Sequence, residues 1–340
     1  MNKILDYKEQ VMNHYENGKS RGMQIGFKCL DDHITFKPKY TTYIVGFPRA
    51  GKTEIHLEIL FNLNAKYGWR NALMSPEIGG VEDVIAELVS KHLRKPFFKS
   101  AYNAPTEREL YEALNHLSEY FYVIDNDSVD YTIDSFYEGC LQIEKDNKIK
   151  LNTTSIDPWN DLEEDLSSFG GREDKYLSTA LRRVRSTAKK YNWHNFIVTH
   201  AKEMPPVEYK SIYGSKVACT AMPTLQSFAG GQVWSRRGFN VIGMWKPEKG
   251  SLKPKTGEPF ADNVAVFKVL KSKPKGSGSL GQAYLFFDWK TNRYYEQIEG
   301  KNYYGFEYLD IPEPEPIHSL IDLELAKKMG NDTEILTLDF

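Results

Sequence analysis

Short apolar runs alternate along the chain with segments whose apolar positions recur at helical spacing. The runs end at polar or glycine-rich turns, which is typical of strands buried in a sheet. They predict strands over residues 41–46, 71–77, 121–125, 151–158 and 195–200. The segments between them predict helices over residues 52–66, 81–93, 106–121, 131–147 and 174–193.

The alternation stops after residue 200. Residues 201–237 show no clear period and are rich in glycine, proline and lysine. Three more strands are predicted over residues 239–245, 263–271 and 281–296, and they end in a hairpin. Strand–helix units followed by antiparallel strands predict an α/β fold: a mostly parallel sheet flanked by helices, with antiparallel strands at the C-terminal edge.

Both ends of the chain differ from this pattern. Residues 3–16 place their apolar side chains near one helical face, and glycines follow, so a helix on a linker is predicted. Residues 311–316, IPEPEP, open a proline-rich acidic tail. We therefore expect an N-terminal helix in residues 1–25, an α/β domain over 26–296 and an acidic, partly flexible tail over 297–340.

Charge is unevenly distributed over the 340 residues, although the net charge is only −2. From residue 297 onward, ten acidic residues outnumber three basic ones, which leaves the preceding part with a surplus of five positive charges. A mildly basic body with an acidic tail favours a protein that binds a polyanion.

Targeting signals are absent from the sequence pattern. No apolar run is long enough to span a bilayer, and the N-terminus lacks the apolar region of a secretory signal. The three cysteines, Cys29, Cys140 and Cys219, are widely spaced, which suggests a reducing compartment and no cysteine-based metal site. The expected location is the cytoplasm, that of a bacterial host if the gene belongs to a phage.

Residues 46–53, GFPRAGKT, match the phosphate-binding pattern G-x-x-x-x-G-K-[ST] between a predicted strand and a predicted helix. Lys52 would neutralise the β and γ phosphates, and Thr53 would ligate magnesium. Backbone N–H groups of the loop would point at the phosphates. The motif predicts binding of ATP, or another nucleoside triphosphate, with Mg²⁺. The loop residues concerned are Gly46, Pro48, Arg49, Ala50 and Gly51.

Charged side chains end several of the predicted strands. In P-loop ATPases an acidic residue at such a strand end supports the magnesium, and Asp125 and Asp157 both qualify. Asp157 is favoured because Pro158 forces a loop at the strand tip. Glu77 ends the strand after the P-loop helix and is placed to orient water, although an isolated glutamate is often a solvated loop residue. His200 ends a further strand, where it could sense the γ-phosphate or could be structural.

These residues resemble the DnaB-like family of hexameric replicative helicases, in particular its Twinkle type. The resemblance covers roughly residues 25–296 and is carried by VGFPRAGKTEIHLEILFNLNAKYGW, ALMSPE, SIDPWNDLE, VTHAKEM and KVLKSKPKGSGSLGQAYLFFDWKTNRYY. It implies a RecA-like core and an ATP-driven hexamer that moves along single-stranded DNA and separates the duplex. In that family the residues at the positions of Lys52 and Thr53 hold the phosphates and magnesium, and the residue at the position of Asp157 supports the magnesium. The residue at the position of Glu77 polarises the attacking water. The residue at the position of His200 couples the phosphate state to the loop that follows it.

The resemblance also implies a DNA-binding side. Family members place basic and backbone groups of the loop that begins at residue 201 against DNA, and Lys202 matches best. Two further lysines are weaker matches. A glycine pair matches a DNA-side loop, and the arginine pair after it could touch DNA or a neighbouring subunit. The residues concerned are Lys202, Lys210, Lys216, Gly230, Gly231, Arg236 and Arg237.

Contacts between subunits are implied as well. Lys271 and Lys273 match a pair that reaches the γ-phosphate bound by a neighbouring subunit. Much of the family has arginine at the second position, and lysine lacks the planar fork that contacts two oxygens at once. No primase-like or collar region is recognisable in residues 1–25, so we expect no priming activity, a helix that docks on the adjacent subunit, and a chain that would suit a phage.

Three other functions compete with this prediction. A RecA-type recombinase that forms filaments shares the P-loop and the glutamate, but the SPE and DPWN segments argue against it. A non-motor nucleotide switch that scaffolds a complex need not keep Glu77, Asp157 and His200 together. A small-molecule kinase is least favoured, because the sequence shows neither a lid nor an acceptor pocket.

The last ten residues, NDTEILTLDF, combine a terminal phenylalanine with acidic neighbours. Such an end offers one apolar anchor and several negative charges, so it is a candidate docking segment for a polymerase, clamp or primase partner. A solubilising tail, or a last strand packed on the body, is the alternative.

Overall fold

The computed structural model describes residues 3–18, 21–125 and 131–310. The chain divides into two compact units, Met1–Tyr308 and Leu309–Phe340. The second unit is described only at Leu309 and Asp310. The docking function predicted for the last ten residues therefore lies outside the described residues and stays a prediction.

One large sheet runs through the first unit, and a small hairpin lies apart from it. The sheet contains β1 (Thr41–Gly46), β2 (Asn71–Met74), β3 (Phe121–Val123), β4 (Thr153–Ile156), β5 (His194–His200), β8 (Asn240–Trp245), β9 (Val264–Lys271), β10 (Gly281–Asp288), β11 (Arg293–Ile298) and β12 (Lys301–Tyr304), and the hairpin contains β6 (Val207–Lys210) and β7 (Lys216–Cys219). The ten strands follow the order β12-β11-β10-β9-β8-β1-β5-β4-β2-β3. Strands β8 to β3 in this order are parallel, and β9 to β12 are antiparallel. The predicted α/β fold with an antiparallel edge is confirmed.

Helices cover both faces of the sheet. They are α1 (Lys8–Asn17), α2 (Lys28–Asp31), α3 (Lys52–Tyr67), α4 (Val81–Leu93), α5 (Glu107–Ser118), α6 (Ile133–Asn147), α7 (Glu173–Tyr191) and α8 (Gln232–Arg237). Side chains of β1 alternate between two apolar clusters, as the period of a strand requires. Ile44 packs in the cluster that contains α3, α4 and α5, whereas Tyr43 and Val45 pack in the cluster that contains α6 and α7. None of the helices in the described part of the chain combines the length and apolarity needed to cross a membrane.

The folded body extends further than the predicted boundary at residue 296. β11 continues to Ile298 and pairs with β12, so that Tyr295 lies opposite Tyr304. Tyr308 is buried, and its hydroxyl donates a hydrogen bond of 3.0 Å to Asp31 Oδ2. The described strands and hydrogen bonds thus continue past residue 296, where β12, with the sequence KNYY, has no run of aliphatic residues that would have predicted a strand.

The predicted N-terminal helix is present, but none of its side chains is buried. Ile4 and Tyr15 are 89% and 84% exposed. The N-terminal helical segment therefore presents exposed apolar side chains. Its docking on an adjacent subunit stays a prediction, and this exposed face is the surface that such docking would cover.

Candidate nucleotide site and nucleic-acid interface

The P-loop is a tight turn between the end of β1 and the start of α3. Gly46 has no room for a side chain, since an added Cβ would lie 2.7 Å from the Met244 carbonyl oxygen. Gly51 has φ +81°, where glycine is favoured, and an added Cβ would lie 2.8 Å from the Tyr294 hydroxyl. No side chain caps the first turn of the 16-residue helix α3. Its N–H groups are therefore available to an anion, as phosphate binding requires.

Lys52 points across the loop toward the neighbouring strand. Its Nζ lies 3.2 Å from the Phe47 carbonyl oxygen and 3.2 Å from His200 Nδ1. The residue is only 3% exposed, and burial lowers the pKa of its ammonium group, while the nearby carboxylates of Glu77 and Asp157 act in the opposite direction. A buried ammonium at the start of a helix is a favourable electrostatic site for a polyphosphate.

Two carboxylates approach the same region from neighbouring strands. Asp157 follows β4 and is fully buried, and neither of its carboxylate oxygens has a hydrogen-bond partner among the described residues. Glu77 follows β2 and is 39% exposed, with Oε2 3.6 Å from His200 Nε2. Asp125, the alternative to Asp157, is exposed and follows β3 at the far edge of the sheet. The geometry therefore favours Asp157.

The buried Asp157 carboxylate fits a hydrated magnesium ion. Mg²⁺ in nucleotide sites keeps several waters and binds one or two carboxylates together with phosphate oxygens. Thr53, the second residue of α3, is placed to add a hydroxyl ligand. No cluster of three or more His, Cys, Asp or Glu side chains that could hold a metal occurs in the described part of the chain. The phosphates of a nucleotide would thus have to complete the coordination.

A cavity of about 390 Å³ adjoins the P-loop on the side of β8. Residues 47–50 form one wall, and the segment after β8, including Lys246, forms another. Lys246 Nζ lies 6.0 Å from the centre of the Trp289 ring. The sequence analysis missed this cavity, because its walls come from segments about 200 positions apart that carry no shared motif.

The tip of β5 connects the P-loop to the segment that follows it. The His200 N–H donates to Asn160 Oδ1 at 3.2 Å, and the Ala201 N–H donates to the Gly46 carbonyl at 3.0 Å. The Lys202 N–H then donates to the Ser227 carbonyl at 2.8 Å. These hydrogen bonds connect the backbone next to His200 to the segment with the predicted DNA-binding residues. Asn160 belongs to the DPWN segment, where sequence reasoning assigned it no role.

The predicted DNA-binding residues fall into two groups. Lys202 is exposed and lies near the glycine pair, because Ala201 forms a β-bridge with Phe228. The glycine pair, at φ +73° and +69°, leads into α8, which carries both predicted arginines in its last turn. Lys210 and Lys216 instead lie on the separate β6–β7 hairpin, where Lys216 pairs with Glu208. The structure does not bring these two lysines into the first group.

Lys271 and Lys273 lie at the opposite end of the strands from the P-loop. Lys271 is opposite Val241 near the start of β8, whereas Gly46 is opposite Met244 near its end. The Lys271 ammonium donates to the carbonyls of Ser235 and Gly238 at the C-terminus of α8. Burial, followed by the charges of Lys273 and Arg185, lowers the pKa of Lys271 to about 8. Neither lysine is placed to serve the nucleotide site of its own chain.

Solved structures share the fold of this chain. An ATPase domain of known structure has a TM-score of 0.65 and 15% identity, over 86% of this chain and 98% of that chain. A DnaB-like replicative helicase, described with its primase interactions, has a TM-score of 0.65 and 16% identity, over 86% of this chain and 67% of that chain. The fold is that of the RecA-like ATPase domains of DnaB-like helicases.

A curated relative points to the Twinkle type. The chain is 26% identical over 300 residues to the Twinkle homolog protein, chloroplastic/mitochondrial, of Arabidopsis thaliana. The match covers 85% of this chain but only 39% of that protein. No family model matches the chain. The resemblance to the DnaB-like family and its Twinkle type, first seen in the sequence, is confirmed.

Proposed function

We propose that this protein is an ATP-dependent ring helicase that moves along single-stranded DNA and unwinds duplex DNA during replication. One observation carries the proposal: Lys52 contacts His200, and His200 lies near Glu77, close to the carboxyl ends of β1, β5 and β2. The buried carboxylate of Asp157 follows β4, which lies between β5 and β2, and it has no hydrogen-bond partner among the described residues. Similarity to a Twinkle homolog and to DnaB-like ATPase domains supports the same class.

Each residue of the site has a role in this proposal. Lys52 neutralises the phosphates on the P-loop, and Thr53 and Asp157 hold a hydrated magnesium ion that compensates their charge. Glu77 polarises the attacking water, which is general base catalysis. His200 responds to the γ-phosphate and passes the change to the segment that begins at Ala201. The cavity beside residues 47–50 has room for the base and sugar.

Two features support a ring of subunits, which we expect to be a hexamer. Lys271 and Lys273 lie at the end of the sheet away from their own P-loop, so they would act on the nucleotide of a neighbour. The helix α1 exposes apolar side chains that a neighbour would bury. Removing this apolar surface from water would contribute about 25 cal/mol per Å² toward assembly, against the entropy that the subunits lose on association.

ATP hydrolysis measured with and without single-stranded DNA tests the proposed function. We expect hydrolysis that DNA stimulates, and closed rings in electron microscopy. A folded protein that binds nucleotide without DNA-stimulated turnover would instead be a nucleotide-switch scaffold. Filaments on DNA in place of rings would favour the recombinase.

Replacing Lys202 with alanine is expected to weaken single-stranded DNA binding and to reduce its salt dependence. A lysine that contacts one phosphate releases about one counterion, so the slope of log K against log salt should fall by roughly 0.7 for a single strand. Fluorescence anisotropy at several salt concentrations measures the slope. Lys99→Ala, at a 94% exposed lysine of another region, serves as the control and should change nothing. If the slope of log K against log salt were unchanged in Lys202→Ala, Lys202 would not contact a DNA phosphate, and the DNA-binding site would have to lie elsewhere.

Mixing two inactive variants is expected to restore part of the turnover. Lys273→Ala subunits keep Glu77, and Glu77→Gln subunits keep Lys273, so half of the possible mixed interfaces combine an intact pair. Turnover is measured as a function of the mixing ratio, with assembly checked by light scattering. The control mixes Lys273→Ala subunits with subunits that carry both Lys273→Ala and Glu77→Gln. No interface in this mixture combines an intact Lys273 with an intact Glu77. Absence of any rescue in fully assembled mixtures would argue against a site shared between subunits.

A further inference from the structure

A buried histidine lies directly beneath the P-loop, on the first turns of α3. His56 is fully buried, and its ring packs 5.6 Å from the ring of Phe196. Its Nε2 lies 3.0 Å from Ser155 Oγ on β4, and its Nδ1 lies 3.4 Å from Asp157 Oδ2. One imidazole thus bridges the helix that starts at the P-loop and the strand that ends in the proposed magnesium-supporting aspartate.

The hydrogen positions follow from the chemistry of the three groups. A carboxylate only accepts hydrogen bonds, so the imidazole nitrogen that faces Asp157 must carry the proton. Nε2 is then the acceptor, and the Ser155 hydroxyl donates to it. In the opposite tautomer the lone pair of Nδ1 would face the negative charge of Asp157. The Ser155 hydroxyl therefore donates to His56 Nε2, and His56 Nδ1–H points toward Asp157 Oδ2.

Serine, histidine and aspartate in this order also occur in hydrolytic triads, but burial excludes that role here. Ser155, His56 and Asp157 each have no exposed surface. Ser155 lies within β4, paired on one side with Leu73 of β2 and on the other with Phe196 of β5. A substrate has no path to its hydroxyl, so the three groups can act only on the site above them.

A second buried histidine shows what an ordinary structural histidine looks like in this chain. His194 is also fully buried, and both of its ring nitrogens have partners, Thr42 Oγ1 at 2.9 Å and the Lys37 carbonyl at 2.6 Å. In His56, by contrast, Nδ1 forms no hydrogen bond with any described group and faces Asp157 across 3.4 Å. That distance exceeds the usual 2.7–3.2 Å by only a few tenths of an ångström.

We propose that His56, held by Ser155, is a positioning residue that orients the Asp157 carboxylate for the divalent ion accompanying the nucleotide. A hydrogen bond from Nδ1–H to Oδ2 would fix the orientation of the carboxylate, and Asp157 would then support the ion in that orientation. Groups behind a metal ligand commonly set its orientation, and their removal costs about 10- to 100-fold in metal affinity. This inference rests on the proposed nucleotide site.

Binding of Mn²⁺, followed by electron paramagnetic resonance in the presence of a non-hydrolysable ATP analogue, tests the proposal. His56→Ala is expected to weaken Mn²⁺ binding about 10- to 100-fold, with the metal-free affinity for the nucleotide unchanged. His56→Asn and His56→Gln form a matched pair, because the asparagine amide falls near the position of Nδ1 and the glutamine amide near that of Nε2. Asparagine should restore most of the Mn²⁺ affinity, whereas glutamine should not.

A control at the other buried histidine distinguishes lost orientation of the Asp157 carboxylate from general destabilisation of the fold. His194→Gln should lower the melting temperature and leave Mn²⁺ affinity within twofold of wild type. If it lowers Mn²⁺ affinity as much as His56→Gln does, or if the His56 variants all bind Mn²⁺ like wild type, the proposal is overturned. Should His56→Ala fail to fold, the asparagine and glutamine variants decide, and equal affinities in these two would also overturn it. Normal Mn²⁺ binding by a wild-type protein without DNA-stimulated hydrolysis would refute the helicase and leave the role of His56 standing.

Discussion

Replacing Lys52 with alanine is expected to reduce ATP turnover by at least about 10²-fold, the usual cost of removing one group that stabilises charge in a transition state. The Lys52 ammonium is the buried positive charge at the loop, and it bridges the Phe47 carbonyl and His200. Without it, the charge that develops on the phosphates during cleavage loses the buried ammonium at the P-loop. Steady-state hydrolysis at saturating nucleotide measures the loss.

The same substitution is not expected to unfold the protein. Burial lowers the pKa of Lys52, which means that the charged form is less favourable in the folded chain than in the unfolded one. Removing the ammonium relieves that cost, so the melting temperature of Lys52→Ala should equal or exceed that of wild type. Calorimetry in the absence of nucleotide checks this.

A lysine at the other end of the same helix provides the control. Lys66 is exposed in the last turn of α3, where its side chain lies 5.3 Å from the Phe306 ring. Lys66→Ala should keep turnover within about twofold, since a lone surface contact contributes little. If Lys52→Ala also kept wild-type turnover within a few-fold, residues 46–53 would not be the catalytic phosphate site.

The parallel half of the sheet could be predicted because its signals are local. β1 spans the predicted residues 41–46, and α3 starts at the predicted Lys52 and ends at Tyr67, one residue later than predicted. An apolar run gives β1 its burial on both faces, and Gly68 in the left-handed region ends α3. Each signal lies within a few residues of the element that it determines.

The elements that sequence reasoning missed bury too few side chains to produce a recognisable pattern. The β6–β7 hairpin exposes most of its side chains, so residues 207–219 show neither strand nor helix periodicity. The six-residue helix α8 is too short for a helical period to be recognised. Both lie within residues 201–237, in which the sequence analysis found no clear period and predicted no element.

Residues of the nucleotide site could likewise be predicted where their sequence signals are local. The P-loop is contiguous in sequence, so its phosphate-binding residues could be read directly. The contact between His56 and Ser155 joins residues 99 positions apart, and it exists only because α3 packs over β4. A histidine three residues after Thr53 carries no signal of that kind in the sequence, which is why the sequence analysis gave it no role.

Glu77→Gln is expected to separate nucleotide binding from hydrolysis. An amide of the same size cannot accept a proton from water, so turnover should fall by about 10²- to 10⁴-fold, the usual contribution of a general base. Nucleotide binding should remain, because Glu77 is 39% exposed and its side chain approaches His200 rather than the backbone of the loop.

The direction of the change in binding gives this prediction a second readout. The Glu77 carboxylate raises the pKa of Lys52 from nearby, and the same negative charge repels the phosphates that Lys52 attracts. Glutamine removes the repulsion, so the affinity for a non-hydrolysable nucleotide should equal or exceed that of wild type, as measured by calorimetry. Glu82→Gln, at an exposed carboxylate in the first turn of α4, should change neither binding nor turnover. Normal hydrolysis by Glu77→Gln would require another base, and weaker nucleotide binding would mean that the carboxylate holds the loop in place instead of activating water.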